Sequence, residues 1–400
     1  MQRNRIVPIA PVIVAAIVLV AGCAASEKSG APASPGPDTD HKPALFYAKD
    51  GALYVSDPAG TPGRSLTDGP ADTQPAPSPD GSRLAFVRKV SRNAGGGELW
   101  VLDLAADSAP ASAPRRLVDP AALVPTFGGE DPAKGTLDSP RWSPAGDRIA
   151  FLKTGGHGGF LLTAEVATGA VQAPARPLYA DRSYSWARDG KHIAWAGGRM
   201  DVSPVDVGVL GVGVGVGVGV GVGVGGASQP VATGTNASSV DYADDGRAVL
   251  FANGDATGSL FSAIPFTLRG GGIYSVEPPA APRPVFTGTG SYDDVAALWR
   301  GAIGFTQWSP DQRTKSIQVV NPGGSPHTIA ETRSDAPGPA WVGDTVAYIG
   351  TADERPLMIV ADRNPANDSQ KNLNDQQGQT DQKEQAQQID VGVDAFAWGD

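Results

Sequence analysis

A pair of strands joined by a tight turn recurs along the chain, and this repeat constrains the fold more than any other feature. The clearest copy is APSPDGSRLAFV at 76–87, which returns as RWSPAGDRIAFL at 141–152 and as SWARDGKHIAWA at 185–196. In this turn Pro presets φ, Asp bonds to its own backbone and Gly takes the left-handed position. Weaker copies are found at 241–252, 297–307 and 340–350. Such self-similarity predicts a repeat architecture.

Two further strand patterns follow each copy, and each of them occurs seven times. In the third strand of the unit, apolar residues alternate with the period of a strand. The third strands are predicted at 51–57, 97–103, 159–166, 200–207, 272–277, 316–321 and 356–362. The fourth strands are predicted at 64–69, 115–120, 176–181, 229–234, 283–288, 327–332 and 371–375. The repeating unit therefore has four strands.

The two ends of the chain complete one unit between them. The segment ALFYAK at 44–49 is a second strand without a first, and DAFAW at 394–398 is a first strand without a second. Pairing them removes the open edge of a circular array. The sequence thus predicts an all-β, seven-bladed β-propeller of four-stranded antiparallel blades, closed by the C-terminal strand joining the N-terminal blade. Six blades is the alternative, because the copies around 292–308 and 338–350 are degenerate.

Large aromatic residues recur at fixed positions of the unit. The first-strand column contains Pro77, Trp142, Trp186, Tyr242, Trp299, Trp341 and Trp398. The second-strand column contains Tyr47, Phe86, Phe151, Trp195, Phe251, Phe305 and Tyr348. Rings at repeating positions are typical of the core between neighbouring sheets. We interpret them as core residues rather than as a platform on which sugars or bases stack.

The N-terminus has the pattern of a targeting sequence. Residues 1–23 combine Arg3 and Arg5 with an apolar run that is shorter than the roughly 20 residues a membrane helix needs, which fits a signal peptide. The following Val20-Ala21-Gly22-Cys23 resembles the bacterial lipobox. The resemblance implies that Val20, Ala21 and Gly22 are recognised by the signal peptidase and that Cys23 carries the lipid, palmitate included. The alternative is an ordinary signal peptide with a chance cysteine.

Residues 24–43 are rich in Ser, Pro, Gly and Ala and show no apolar periodicity. This composition predicts a disordered tether with a span of about 25 Å. The propeller is then expected to occupy 44–400.

The SPDG turn followed by Arg, an apolar residue, Ala and Phe is similar to the TolB-like propeller repeat, a relative of the WD repeat. The resemblance covers about 44–400 and implies the propeller fold, whereas propellers serve many functions. TolB itself has an α/β domain before its propeller, and only the predicted tether precedes residue 44 here. Propeller lipoproteins of the actinobacterial envelope are the closer likeness, which the composition rich in Ala, Gly, Val and Pro also suits.

Two insertions interrupt the repeat. Residues 207–226 alternate Val and Gly and are expected to form a loop, expanded by slippage, between the third and fourth strands of one blade. The functional alternative is an elastic or self-associating segment. Residues 376–388, QQGQTDQKEQAQQ, are expected to form a solvated loop before the closing strand, with partner binding as the alternative.

Composition excludes several function classes. The net charge is −10 with no Lys/Arg cluster, which disfavours nucleic acid. The single cysteine rules out an intramolecular disulfide, and the metal-binding and hydrolase motifs HExxH, CxxC and GxSxG are absent. His157 faintly resembles an oxyanion-hole residue, but a Gly-rich hairpin is the simpler interpretation. His192 flanks a turn.

Two acidic pairs, Asp244-Asp245 and Asp293-Asp294, are the remaining candidates for chemistry. A calcium site needs six to eight converging oxygens, so we interpret each pair as a solvated turn. Asp57, Asp103 and Asp362 end third strands and are expected to cap hairpins. The sequence therefore predicts no catalytic residue, no metal and no cofactor.

The sequence leads to an expected function. We expect a monomer, lipid-anchored at the extracytoplasmic face of the cell membrane, that acts as a non-catalytic protein-binding or scaffold module for another envelope protein. The alternatives are an enzyme acting on extracellular glycans or small molecules, and a small-ligand or sugar sensor. Charged residues lining the central channel would favour the enzyme, and an exposed aromatic residue at the channel, outside both core columns, would favour the sensor.

Overall fold

Seven β-sheets make up the described part of the computed structural model, and this confirms seven blades rather than six. Two short 3-10 turns, Pro120–Ala122 and Trp299–Gly301, accompany the strands. Among the described residues no helix has the length and apolar character needed to cross a bilayer. The described residues are 44–57, 59–92, 97–123, 135–155, 158–174, 178, 180, 183–197, 205–212, 223–224, 228–243, 245–253, 271–361 and 386–399.

The strands within each blade follow one another antiparallel, and we number the blades 1 to 7 from residue 44. The first strands, from blade 1 to blade 7, are Val393–Gly399, Asp72–Pro77, Thr136–Trp142, Ser183–Trp186, Ala237–Tyr242, Tyr292–Ala297 and Ala340–Val342. The second strands, in the same order, are Ala44–Lys49, Arg83–Lys89, Arg148–Gly155, His192–Gly197, Val249–Asn253, Ile303–Trp308 and Thr345–Ile349.

The outer half of each blade is more variable in length. The third strands are Ala52–Ser56, Gly97–Asp103, Gly158–Glu165, Asp206–Gly211, Gly271–Val276, Thr314–Val320 and Leu357–Ala361. The fourth strands are Arg64–Ser65, Arg115–Val118, Val171–Ala173, Ser228–Ala232, Arg283–Gly288, His327–Arg333 and Gln387–Asp390.

The ring closes through the two ends of the described chain, as predicted. Val393–Gly399 pairs antiparallel with Ala44–Lys49, so that Leu45 faces Trp398 and Tyr47 faces Phe396. The side chains of Val393, Ala395 and Phe396 are buried. The C-terminal strand is thus a core element of blade 1.

The seam between blades 7 and 1 is also held by polar contacts. The Tyr47 hydroxyl donates to Asp390 Oδ2 at 2.8 Å, and Lys49 Nζ lies 2.6 Å from Asp390 Oδ1. Asp390 belongs to the fourth strand of blade 7, and its two partners belong to the second strand of blade 1. We call these three side chains the closure seam.

The aromatic columns fill the core as expected. All seven rings of the second-strand column are buried. In the first-strand column Trp142, Trp186 and Tyr242 are buried, whereas Trp341 and Trp398 are half-buried. Trp299 lies in a 3-10 turn instead of a strand.

Indole N–H groups of the first-strand column also fasten neighbouring blades. Trp142 Nε1 donates to the carbonyl oxygen of Ala76 at 2.7 Å, and Trp398 Nε1 donates to that of Ala340 at 3.0 Å. Each acceptor lies on the first strand of the preceding blade. The repeated tryptophan therefore contributes a directional contact as well as buried area.

The third strand of blade 4 is Asp206–Gly211, and the prediction of 200–207 was wrong. Within this strand Val207 and Leu210 are buried, and Val207 faces Ala196 and Ala232 on the two neighbouring strands. The first residues of the Val/Gly insertion therefore belong to the sheet. The apolar alternation begins at Asp206, and this phase places Val207 in the core.

The Val/Gly insertion continues between the third and fourth strands of blade 4, as predicted. Most of it lies outside the described residues, but Gly223–Val224 pairs in parallel with Val171–Ala173 of blade 3. Blade 3 therefore has a fifth, edge strand that the sequence pattern did not predict.

Two fourth strands also differ from the prediction. In blade 3 the strand is Val171–Ala173 rather than 176–181, although the Leu178 carbonyl still accepts from Leu161 N at 3.0 Å. In blade 7 the strand is Gln387–Asp390 rather than 371–375, which lies outside the described residues. Gln387 and Gln388 are the last two residues of the polar insertion, so the prediction of a loop was wrong for them. Ile389 packs against the core of the closing blade, which explains why this later segment joins the sheet.

Candidate functional site

A cavity of about 500 Å³ lies where the first strands of blades 3 to 7 converge, and we call it the central cavity. Its wall is polar. Serine, carboxylate and guanidinium groups face it from first strands that belong to different blades. The residues that matter below are Ser139, Arg141, Tyr184, Ser238, Asp241, Asp293 and Asp294.

Bulges in the first strands shape this wall. Gln74, Ser139 and Asp294 have positive φ angles of 53°, 53° and 50°, and each lies where the pairing with the second strand shifts register. A bulge adds one residue to a strand and redirects the neighbouring side chains. Left-handed backbone is uncommon for residues other than glycine, so its repetition in three blades marks a constrained feature of the channel.

The bulges are tied to one another. Ser139 N donates to Gln74 Oε1 at 2.7 Å, and the amide nitrogen of Gln74 donates to Asp138. The Tyr184 hydroxyl donates to the carbonyl oxygen of Ser139 and, at 3.0 Å, to that of Ala150. Burial raises the pKa of Tyr184, so this hydroxyl stays a neutral donor. These bonds connect blades 2, 3 and 4.

Asp241 connects blades 4, 5 and 6. Its Oδ1 accepts from the hydroxyl of Ser185 in blade 4 and from Tyr242 N in blade 5, and its Oδ2 accepts from Ala297 N in blade 6 at 2.9 Å. Burial raises the pKa of Asp241, and the three donors only partly oppose that effect.

Asp293 and Asp294 share a buried lysine. Lys315 Nζ lies 3.0 Å from Asp294 Oδ2 and 3.7 Å from Asp293 Oδ2, and the lysine side chain is only 7 % exposed. Thr306 also donates to Asp294, at 2.7 Å. Burial, and then the negative charge of Asp294, raises the pKa of Asp293. One carboxylate is therefore fully engaged, whereas the other retains a proton to higher pH than usual.

A second cavity of about 300 Å³ shares Ser238 and Asp293 with the central cavity, and we call it the mouth pocket. It lies at the end where the first strands of blades 5 and 6 begin. Lys315 Nζ lies 4.8 Å from the ring centroid of Trp308 and so connects the pocket with the acidic pair. The side chains used below are Asn236, Ser291, Trp308 and Gln312.

The predicted lipid site is not part of the described structure. Cys23 and the recognition residues Val20, Ala21 and Gly22 all lie outside the described residues, as does His157. The lipobox therefore stays a prediction from sequence.

The other singled-out residues are placed by the structure. His192 Nδ1 lies 2.7 Å from Asp189 Oδ2 at an exposed turn, which fits a structural role. Asp245 is exposed and accepts from Arg247 N at 2.9 Å, which fits a turn, whereas Asp244 lies outside the described residues. The interpretation of Asp293-Asp294 as a solvated turn was wrong, because both residues lie on the first strand of blade 6 and line the central cavity.

Of the aspartates expected to cap hairpins, Asp103 contacts its own hairpin, whereas Asp57 contacts the next blade. Asp57 accepts from Ser108 at 2.8 Å, and Asp103 accepts from Ser112 at 3.2 Å. Asp362 lies outside the described residues. In the part of the chain that the structure describes, no three His, Cys, Asp or Glu side chains are grouped so that they could hold a metal ion.

The mouth pocket was missed from sequence, although one signal was visible. Ser309-Pro310-Asp311-Gln312 repeats the SPDG turn with Gln in the glycine position. Gln312 adopts a φ of 57°, close to the 67° of Gly81 in the sister turn. A long polar side chain at a position suited to glycine indicates a role beyond the turn itself.

Comparison with known proteins shows the fold of this chain but no activity. No family model and no curated protein matches this chain. A "putative 6-phosphogluconolactonase" from Bacteroides uniformis is similar in structure, with 11 % identity, a TM-score of 0.53, and coverage of 89 % of this chain and 99 % of that one.

Two further structures belong to larger proteins. The tricorn protease matches with 8 % identity, a TM-score of 0.54, and coverage of 87 % of this chain but only 33 % of that one. TolB from Acinetobacter baumannii matches with 13 % identity, a TM-score of 0.47, and coverage of 90 % and 67 %. The two matches with TM-scores above 0.5 are under 25 % identical, so they show a shared propeller fold and no shared activity.

Proposed function

We propose that this chain is a lipid-anchored, extracytoplasmic propeller that acts as a non-catalytic binding module for another protein of the bacterial cell envelope. One sequence observation carries the proposal: the only cysteine, Cys23, follows a charged start, an apolar run and two small residues, in that order. Because the lipid would hold residue 23 at the membrane, the tether at 24–43 would present the ring to partners in the envelope.

The cavity wall supports binding over catalysis. Asp241 is occupied by three donors from three blades, and Asp294 is occupied by Lys315 and Thr306. Asp241 thus holds blades 4, 5 and 6 together, whereas the bonds of Asp294 lie within blade 6. The faces of the ring are then left as the surface on which a protein partner would dock.

The anchor is tested with Cys23→Ala. Cells producing the full chain are labelled with a clickable palmitate analogue and fractionated, and Ser26→Ala in the predicted tether is the matched control. The wild type and Ser26→Ala are expected to incorporate label and to sediment with membranes, whereas Cys23→Ala is expected to incorporate none. Undiminished labelling of Cys23→Ala would contradict the lipid site.

The binding role is tested with the captured partner. In-cell crosslinking of the tagged protein is followed by purification of the candidate partner and a direct binding titration. A saturable complex whose contacts map to one face of the ring supports the proposal. A partner that binds unfolded and folded protein alike would contradict it.

A second candidate, an enzyme acting on extracellular glycans or small molecules, is favoured by one observation. The lining of the central cavity includes four charged residues, Arg141, Asp241, Asp293 and Asp294, beside small and apolar ones. Raised carboxylate pKa values in a cavity are also common in catalytic sites. Turnover of a glycan or ester substrate that Asp293→Asn abolishes would favour this enzyme over the binding module.

A further inference from the structure

The side chains of the mouth pocket differ from those of the central cavity in how they are satisfied. Within the described part of the chain, no hydrogen bond is made by the amides of Asn236 and Gln312, the hydroxyl of Ser291 or the indole N–H of Trp308. In the central cavity, by contrast, Asp241 is bonded to blades 4 and 6, and Asp294 is bonded to Thr306 and Lys315 within blade 6. Four donors or acceptors therefore converge on one pocket with their bonding capacity unused.

Two of these side chains belong to residues with a positive φ angle. Asn236 has a φ of 52° and Gln312 a φ of 57°. Asparagine tolerates this left-handed region better than most residues, whereas glutamine rarely adopts it. Asn236 directly precedes the first strand of blade 5, and Gln312 lies in the turn between the second and third strands of blade 6. Two different blades thus place an amide at the same pocket, and the backbone at Gln312 is strained.

The local charge favours a neutral ligand. The ammonium of Lys315 lies over the Trp308 ring and is paired with Asp294 and Asp293. A cationic ligand on the same ring would meet this lysine, and an anionic ligand would meet Asp293, which borders the pocket. A ligand without charge avoids both penalties.

We propose that the mouth pocket binds the ring of a neutral, hydroxyl-rich sugar, either as a monosaccharide or as one unit of a longer glycan. A pyranose ring has an apolar C–H face that suits an indole, and its hydroxyls both donate and accept as the two amides, Ser291 and Asp293 do. The volume of about 300 Å³ lies at the lower end of small-molecule pockets, which suits one sugar unit.

This inference does not depend on the proposed partner docking. The sugar would lie between blades 5 and 6 beside Trp308, a residue outside both aromatic core columns. Sugar binding and partner binding can therefore be lost separately.

The test is a binding titration of the full-length protein, purified with a detergent that has no sugar headgroup. The probes are the methyl glycosides of glucose, galactose, mannose and N-acetylglucosamine, with choline as the cationic comparison. Saturation-transfer NMR detects the contact and calorimetry gives the affinity. We expect saturable binding of at least one glycoside and none of choline.

Glycine variants separate binding from folding. Asn236→Gly and Gln312→Gly remove an amide while they relieve the left-handed backbone, so both are expected to stay folded and to bind about 3- to 10-fold more weakly. Trp308→Ala is expected to weaken binding about tenfold or more, and Trp308→Phe less. The matched control is Ser108→Gly, at an equally left-handed position (φ of 56°) in blade 2, which is expected to bind like the wild type.

Three results would overturn the inference: no saturable binding of any glycoside in the panel, binding of choline in preference to the glycosides, or glycoside binding that Trp308→Ala and Gln312→Gly leave unchanged. Weaker glycoside binding in Asn236→Gly, Gln312→Gly and Trp308→Ala, with Ser108→Gly unaffected, would establish the site.

Discussion

The closure seam and the wall of the central cavity both contain aspartates, yet the two regions shift the pKa values of these side chains in opposite directions. At the seam, Asp390 accepts from Lys49 and Tyr47, and these bonds, with that from Val391 N, outweigh burial and lower its pKa. In the wall, burial dominates and raises the pKa values of Asp241 and Asp293.

The two pKa shifts differ because the carboxylates have different partners. Asp390 has a cation at 2.6 Å, whereas the hydrogen-bond donors to Asp241 are neutral N–H and O–H groups from three blades. A paired carboxylate is charged and stabilises the fold, whereas a desolvated one is closer to neutrality. Asp390 therefore stabilises the seam as a charged partner of Lys49. Asp241 and Asp293 instead present carboxyl groups with raised pKa values to the central cavity.

Removing the closing strand, Val393–Gly399, should lower the stability more than any single change in the seam or the wall. Deletion of 393–400 removes the buried side chains of Val393, Ala395 and Phe396 and exposes the second strand of blade 1. At about 1.5–3 kcal/mol per large buried side chain, the loss approaches the whole stability of a typical domain. We expect the melting temperature measured by circular dichroism to fall by more than about 10 °C.

The control is Asp394→Ala, an exposed side chain in the same strand, which should change the unfolding free energy by less than about 0.5 kcal/mol. An unchanged melting temperature for the deletion would show that the C-terminal strand does not close the ring.

The next largest effect should come from the cavity wall. Asp241→Ala leaves Ala297 N, Tyr242 N and the Ser185 hydroxyl without their acceptor, so the unfolding free energy in urea should fall by about 2–3 kcal/mol. Asp344→Ala, an exposed aspartate of blade 7, should have almost no effect. Equal losses for the two variants would mean that the wall contributes nothing to holding the blades together.

The seam should show a smaller loss that depends on pH. Asp390→Asn removes the charge that Lys49 pairs with, and it should cost about 1–2 kcal/mol at pH 7. Because the folded pKa of Asp390 is lowered, this contribution is complete above about pH 4 and is lost as the pH falls through the folded pKa. The difference between wild type and variant in urea unfolding should therefore vanish in acid; a difference of the same size at pH 7 and pH 2 would contradict the assignment.

Asp241 should show the opposite dependence of stability on pH, and it therefore serves as the control for Asp390. Its raised pKa means that the unfolded state releases the proton more readily, so the wild type should lose stability relative to Asp241→Asn as the pH rises from about 4.

The smallest expected effect is a gain. Gln312→Gly relieves a left-handed backbone and should stabilise the protein by about 0.4–1 kcal/mol, measured by thermal unfolding. The reciprocal change, Gly81→Gln in the sister turn of blade 2, should destabilise by a similar amount. A loss of stability in Gln312→Gly would mean that the glutamine side chain supports the fold rather than the mouth pocket.

Much of the ring could be predicted from the sequence because its turns carry their own chemistry. The SPDG turns and the second-strand aromatic residues fix where a unit begins and which face is buried. The closing strand followed from counting units. The bulges at Gln74, Ser139 and Asp294 could not be predicted, because no glycine marks them.

The errors occurred where the pattern carries little information about register. In the Val/Gly repeat the same alternation fits several registers, so the third strand of blade 4 was placed about six residues early. The fourth strand of blade 7, Gln387–Asp390, is polar apart from Ile389, and its pairing depends on contacts with the closing blade that no local pattern shows. Asp293 and Asp294 were misread for the same reason, since their burial comes from neighbouring blades.

The most direct measurement is a pH titration of the aspartate carboxyl carbons by NMR, assigned with Asp390→Asn, Asp241→Asn and Asp293→Asn. Free aspartate titrates near pH 3.9. We predict that Asp390 titrates below this value and that Asp241 and Asp293 titrate above it. If Asp390 titrated above 3.9, or the two wall aspartates titrated below it, the contrast between a lowered pKa at the seam and raised pKa values in the cavity wall would be wrong.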